Sequence, residues 1–232
     1  MLPGPTHILQ CSECGECFKR GTLSSGNNFG RKHWTDGEFT GSRFYAPPQL
    51  VKCPHCQMII WLQDQIKVNE IPNYLTFLEK ETKPDKSLTG LPFYEDASET
   101  ELATFLEVNS PQTDREAYAR TMLWRLGNNK RRTGVESPLS DLEIKNLQKL
   151  VEICSVNDDE SVLLKIEMLR ELGKFEDAQT LLKFNFTEDY QHIAEAQQQF
   201  LEQKTSALWW VPSEDQPFLA AQWRNRLKTR FA

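Results

Sequence analysis

The sequence predicts an α+β, multidomain chain, a small β module followed by an all-α helical bundle, and three observations predict it. Two C-x-x-C pairs, Cys11/Cys14 and Cys53/Cys56, bracket a turn-rich stretch with little helical periodicity. From residue 98 onward apolar residues recur at helical spacing behind Ser/Thr-x-x-Glu start signatures. Between the two regions lies a polar segment interrupted by Pro84, Gly90 and Pro92. The expected boundaries are 1–76 for the β module, 77–97 for a linker, 98–205 for the helical domain and 206–232 for a Trp-rich segment with a basic terminal helix.

A length of 232 residues suits one large domain, or a small one joined to a medium one. The formal net charge of −6 argues against a protein that coats nucleic acid or an anionic membrane with its whole surface. Residues Met1 to Thr6 have neither a basic nor an apolar signal region, and no apolar run approaches the ~20 residues of a membrane span. Five of the six cysteines lie in C-x-x-C-like clusters, and Cys154 sits alone in a helical pattern. That usage predicts a metal site plus one buried thiol in a reducing cytoplasm, with no membrane partner.

In the β module, Ser24–Asn28, Asp36-Gly37 and Thr40–Ser42 are turn chemistry. His7–Gln10 and Val51-Lys52 lead into the cysteine pairs as short strands, and Met58–Leu62 leaves the second pair as an apolar strand. The C-x-x-C spacing lets a tight turn aim two thiolates at one tetrahedral ion, and two pairs close its coordination. Cys14-Gly15-Glu16-Cys17 is a competing pair. Gly15 decides for Cys11/Cys14, which resembles a zinc knuckle: these commonly place Gly right after the second ligand, where amide-to-sulfur bonds need an unusual backbone angle, and an apolar residue soon after, the slot that Phe18 fits. Cys17 is then a spare thiol, and His55 points to solvent. The predicted ligands are Cys11, Cys14, Cys53 and Cys56, with structural Zn2+ as the cofactor.

These residues resemble a zinc ribbon over about 65 residues, a likeness specific for metal and uninformative about partners. Rubredoxin-type iron proteins use a similar double pair, usually with Gly after both. Here Gln57 follows Cys56 and the insert is longer, which places an electron-carrier reading behind the zinc one. A thioredoxin reading of Cys53-Pro54-His55-Cys56 lacks its βαβ surroundings.

In the helical half, Ser98/Glu101, Thr113/Glu116 and Ser140/Glu143 form three capping boxes. Leu147, Leu150, Val151 and Cys154 share one face. Asp158 and Asp159 open a helix whose face carries Val162, Ile166 and Leu169. In Leu169–Leu182, Gly173 ends one helix, Phe175 fills the corner and Ala178 admits a second helix. This junction resembles that of a tetratricopeptide repeat, which implies a TPR-like hairpin in a small bundle. Leu123–Asn129 is a degenerate second copy without the downstream Phe and Ala. A further helix over about residues 188–203 carries Ile193, Ala196, Phe200 and Leu201. The whole resembles uncharacterised bacterial zinc-ribbon proteins with helical tails.

Trp34 and Trp61 read as core, and Trp209-Trp210-Val211-Pro212 as a lid on the helical core. Arg125, Lys130, Arg131 and Arg132 around Gly127–Asn129 read as a solvated helix end whose cations complement the dipole. Arg224, Arg226, Lys228 and Arg230, with Trp223 and Phe231, form a basic terminal stretch. No G-x-S-x-G, P-loop, G-x-G-x-x-G or H-E-x-x-H motif is present, and the four histidines are scattered. The expected function is a non-enzymatic, zinc-binding adaptor with a protein partner and no small-molecule substrate. The alternative is a nucleic-acid-binding regulatory factor using the ribbon and the basic helix. A metal-dependent enzyme or rubredoxin-like carrier ranks below both.

Overall fold

The computed structural model describes residues 2–26, 32–40, 48–72, 85–109, 113–135 and 137–211. These fall into two compact units, the first drawn from residues 1–30 and 42–105, the second from 31–41 and 106–232. Small antiparallel sheets come first and helices follow, the α+β layout the sequence predicts.

In the first unit β2 (Thr6–Gln10) is central, flanked by β3 (Cys17–Arg20) and β9 (Ile66–Ile71), all antiparallel. Leu9 stands opposite Phe18 and Gln10 opposite Cys17, so the register places Leu9 and Phe18 in the interior. Strands β1 (Leu2–Pro3) and β4 (Leu23–Ser25) pair with each other, as do β7 (Leu50–Lys52) and β8 (Ile59–Trp61). Ile8, Leu50, Trp61 and Leu102 are buried, and one core cluster consists of Leu9, Cys11, Phe18, Val51, Cys53, Ile60 and Leu62. Two of these seven are cysteines from the two pairs, so a metal there would complete a core too small to be stable alone.

Part of the stretch read as a linker is bound to this unit. Helix α1 (Lys86–Thr89) is capped by Asp85, whose side chain accepts from the Ser87 amide at 2.9 Å. The chain then runs beside two strands. The Lys19 amide donates to the Pro92 carbonyl at 2.7 Å, and Lys52 and Glu95 exchange backbone bonds of 2.8 and 3.0 Å. The Lys52 ammonium holds Glu95 at 3.1 Å and Glu101 at 3.2 Å. Exposed strand edges of β3 and β7 need backbone partners, which polar composition does not reveal. At the start of α2 (Glu99–Val108) the Ser98 capping box forms as expected, with the Ser98 amide 2.8 Å from Glu101 Oε2 and the Glu101 amide 3.3 Å from Ser98 Oγ. The division between the units falls inside this helix.

The second unit contains α3 (Thr113–Arg132), α4 (Asp141–Ile153), α5 (Asp159–Glu171), α6 (Phe175–Leu181) and α7 (Glu188–Glu202). It also contains β5 (Lys32–Trp34), β6 (Phe39–Thr40) and β10 (Trp210–Val211), with β5 central. Residues 32–40, which the sequence assigns to the β module, therefore pair and pack within the helical unit. Their polar turn is the reason: Asp36 is buried against Arg132 and Asn128, residues invisible to any local pattern.

The start of α4 has the predicted Ser140/Glu143 box, and α5 is capped by Asp158 with Ser161 reciprocating. Glu116 of the second predicted box accepts from Arg120 Nε at 2.7 Å, while the Thr113 side chain lies outside the described ones. The expected helix end at Gly127–Asn129 is corrected: α3 continues unbroken to Arg132. Gly127 serves a close approach instead, since a Cβ there would lie 2.6 Å from Glu143 Oε1. The cations beyond it are not a solvated end either. Arg131 donates to Glu143 at 2.7 Å and to the Ser137 and Pro138 carbonyls, and Arg132 pairs with Asp36.

Between α5 and α6, Gly173 adopts φ +72°, and the Lys174 amide returns to the Leu169 carbonyl at 2.8 Å. Ala178 is fully buried in the main core with Ile166, Ala196, Phe200 and Leu201, and Phe175 packs against it. We expect Ala178→Leu to overpack this corner and cost ~1–3 kcal/mol, read as a lower unfolding midpoint. Unchanged stability would show that the site has room for three more carbons. Trp209 stacks on Phe200 at 5.3 Å and covers this core, Trp210 pairs across from Trp34, and Trp34 and Trp61 are buried in their own units. Pro212 and the basic stretch with Trp223, Arg224, Arg226, Lys228, Arg230 and Phe231 lie outside the described residues.

Candidate metal centre

Each cysteine pair sits in a tight turn between two strands, and the two turns are built alike. The Cys11 amide donates to the Glu16 carbonyl and the Gly15 amide to the Cys11 carbonyl, both at 2.9 Å. In the second turn the Cys53 amide donates to the Met58 carbonyl at 2.9 Å and the Gln57 amide to the Cys53 carbonyl at 3.0 Å. The fifth residue of each turn has positive φ, +76° at Gly15 and +63° at Gln57. A glycine after the second cysteine is thus the favourable residue rather than a requirement. Gln57 bears the strain of ~1 kcal/mol or more and ties its own turn, donating to the Pro54 carbonyl at 3.2 Å.

The two turns bring Cys11, Cys14, Cys53 and Cys56 together, their sulfurs all within 4.8 Å of one another. Cys11 and Cys56 are 4.0 Å apart, Cys14 and Cys53 3.9 Å. Four sulfurs around a tetrahedral ion with M–S bonds of about 2.3 Å would be separated by about 3.8 Å, so two contacts match such an ion and the set needs to contract by about 1 Å at most. Alternation between pairs also matters: each short contact joins one cysteine of each turn, so an ion would clamp the two turns together.

Burial and the surrounding amides act on the thiols in opposite directions. Burial pushes the Cys53 thiol up to about 12, although the Cys56 and His55 amides point at its sulfur. Burial likewise raises Cys56 against the pull of the Met58 amide, while the Glu16 amide lowers exposed Cys14. Thiolates at the buried positions need a bound cation to be stable near neutrality, and acid competes with that cation for the sulfurs. The amides of Glu16, His55, Cys56 and Met58 supply the N–H···S bonds that orient thiolate ligands.

No protein-family model, curated protein or solved structure matches the chain.

Cys17 stands apart from the cluster on β3, half-buried, as the reading of Gly15 predicts. His55 is exposed, and its Nε2 lies 3.0 Å from the Cys17 carbonyl, linking the second turn to β3. Gln65 was not legible as part of the site. It is buried behind the first turn, its Oε1 accepting from the Ser12 amide at 2.8 Å and its Nε2 donating to the Trp61 carbonyl at 2.9 Å. It fixes the first turn to the strand that follows the second. Nothing in its neighbours Asp64 and Ile66 signals this, because the contact spans 53 residues. Among the described helices none is long and apolar enough to cross a membrane.

Proposed function

We propose that the four cysteines hold one structural Zn2+ and that the protein is a non-enzymatic adaptor that binds another protein. The observation that carries the reading is the closed set of four sulfurs. The chain itself fills all four positions of a tetrahedral ion, which leaves none for a substrate or an activated water. When bound, such an ion supplies rigidity: it joins the turn between β2 and β3 to the turn between β7 and β8 around a small core. A second observation supports a binding role. Ile66 and Val68 lie on one face of β9, which ends its sheet among the described residues, and are 65% and 48% exposed. The TPR-like corner at Gly173 would give the adaptor a second, helical surface, and a cytoplasmic setting would keep the thiols reduced.

The test is affinity purification of tagged chain from its host with partners and nucleic acid identified. Zinc-bound wild type is expected to retain protein partners that the double variant Ile66→Ser, Val68→Ser loses while keeping its metal. Neutralising Arg224, Arg226, Lys228 and Arg230 should leave those partners in place. Salt-sensitive binding to generic nucleic acid that disappears with that fourfold change would overturn the adaptor in favour of a nucleic-acid factor.

A further inference from the structure

Three carboxyl groups are buried around the turn between β5 and β6: Asp36, Glu167 and Glu171. Two of them have a guanidinium. Arg132 pairs with Asp36, and Arg170 holds Glu167 with Nη2 2.6 Å from each oxygen. Glu171 receives neutral donors, Trp124 Nε1 on one oxygen and Asn128 Nδ2 on the other, both at 3.0 Å. The same Asn128 amide nitrogen also bonds Asp36 Oδ2 at 3.0 Å, so Asp36 and Glu171 share one donor. An anion at Glu171 would be desolvated with Glu167 one helical turn behind it and Asp36 across Asn128. Burial first, then Glu167 and Asp36, push its carboxyl up to about 8.

The surrounding cations offset this charge only in part, Arg170 pulling against burial. Arg170 is held by Glu167, Gln197 Oε1 and the Thr205 and Ala207 carbonyls. Arg131 borders the same cavity as Glu171 but is bound to Glu143, and Arg125 reaches the Asp36 carbonyl and Glu38. Lys174 and Lys204, also beside that cavity, are exposed and hydrated. Arg132 is different. Its side chain is 5% exposed, and its Nε is buried with no acceptor among the described residues. Its Nη1 is held by the Arg125 carbonyl and Asn129 Oδ1, both at 2.8 Å, so the Nε is the buried donor it has to spare.

We propose that residues 32–40 are fastened to the helices by a proton-dependent latch, in which neutral Glu171 leaves Arg132 to Asp36, whereas ionised Glu171 takes Arg132 and lets the strand pair go. The proton passes to solvent, and Arg132 exchanges one carboxylate for another, so no bare charge remains buried. The β5–β6 segment is the part that can leave. Its polar anchors on the helices are Asp36, Thr35, which donates to Glu167 at 2.7 Å, and Glu38, 3.8 Å from Arg125, and β5 also pairs with β10, whereas Glu167 and Glu171 belong to a helix embedded in the core. Released Asp36 regains water, which removes its repulsion of Glu171.

The sign follows from linkage. The closed form holds its proton up to about pH 8, while an open or unfolded form loses it near the ordinary carboxyl value of about 4.3. The stabilisation is complete below that ordinary value and is lost as pH rises through the folded value. Burial of Asp36 shifts it upward too, so it adds to the slope in the same direction.

The test is amide hydrogen exchange of residues 32–40 in the full, metal-bound chain, corrected for intrinsic rates. Protection should fall by about tenfold per pH unit from Glu171 alone between about pH 6 and 8, with Asp36 adding to the slope, and level off above, while the interiors of α5 and α7 change little. Glu171→Gln, which is neutral at all these values, should flatten the profile to the shallower slope left by Asp36. An unchanged slope in Glu171→Gln, or a flat profile in wild type, overturns the latch. Should that variant not fold, infrared spectroscopy of wild type decides. A protonated-carboxyl stretch present at about pH 7 and gone by about pH 9 supports the proposal, and its absence at neutral pH overturns it.

Discussion

Cys53→Ser is expected to abolish metal binding and to unfold the first unit, the largest effect a single substitution should have here. Wild type should carry about one zinc per chain by elemental analysis, and the variant none. Cys53 is fully buried, its sulfur 3.9 Å from Cys14, and it lies in the same cluster as Leu9, Phe18, Val51 and Ile60. Removing one thiolate therefore opens the ion's coordination and the core together. Structural zinc binding of this type contributes ~10–16 kcal/mol at neutral pH, far more than the small cluster around the sulfurs could replace. A chelator should produce the same loss in wild type, seen as vanishing amide protection over β2, β7 and β8. Cys17→Ser is the control and should keep both metal and fold, because Cys17 lies outside the cluster. Zinc retained in Cys53→Ser, or lost from Cys17→Ser, would show that the ligand set is wrong. A coloured protein containing iron would show that the ion is.

Arg170→Ala should destabilise the helical unit by ~3–5 kcal/mol, read from denaturant midpoints. Arg170 is fully buried, and so is its partner Glu167. Truncation leaves that carboxylate with Thr35 and Gln197 as neutral donors and strips the Thr205 and Ala207 carbonyls of theirs, at 2.6 and 2.7 Å. It also removes the cation over the face of Phe200, 5.1 Å from the ring centre. The double variant Arg170→Met, Glu167→Leu should be less damaging than Arg170→Ala, since an apolar pair of similar volume leaves no buried charge unmatched. A double variant as unstable as the single one would mean that the carbonyl contacts, rather than the ion pair, dominate.

Features set by a few neighbouring residues were legible. The C-x-x-C spacing and Gly15 identified the four cysteines that converge, since a five-residue turn carries its own hydrogen bonds. Ser98/Glu101, Ser140/Glu143 and Asp158 marked helix starts because a cap acts within one turn. Gly173 marked a helix end because positive φ is a local demand. Where a local rule was applied to a residue with a distant duty, it failed: Gly127 resembled a helix terminus, yet it is small to admit Glu143.

By itself, then, the sequence determined the paired turns, the candidate ligands, several helix starts and the α+β order. Those depend on spacings of three or four residues, over which backbone geometry leaves few choices. Only the tertiary structure decided that residues 32–40 join the helices, that residues 85–97 lie along β3 and β7, that Gln65 braces the first cysteine turn, and that Glu171 has no ion pair among the described residues. Each depends on partners tens of residues away, such as Asp36 and Arg132, which are 96 apart. Polar residues look alike in sequence whether water or a buried counter-charge surrounds them. Burial separates the two cases, and burial belongs to the folded chain.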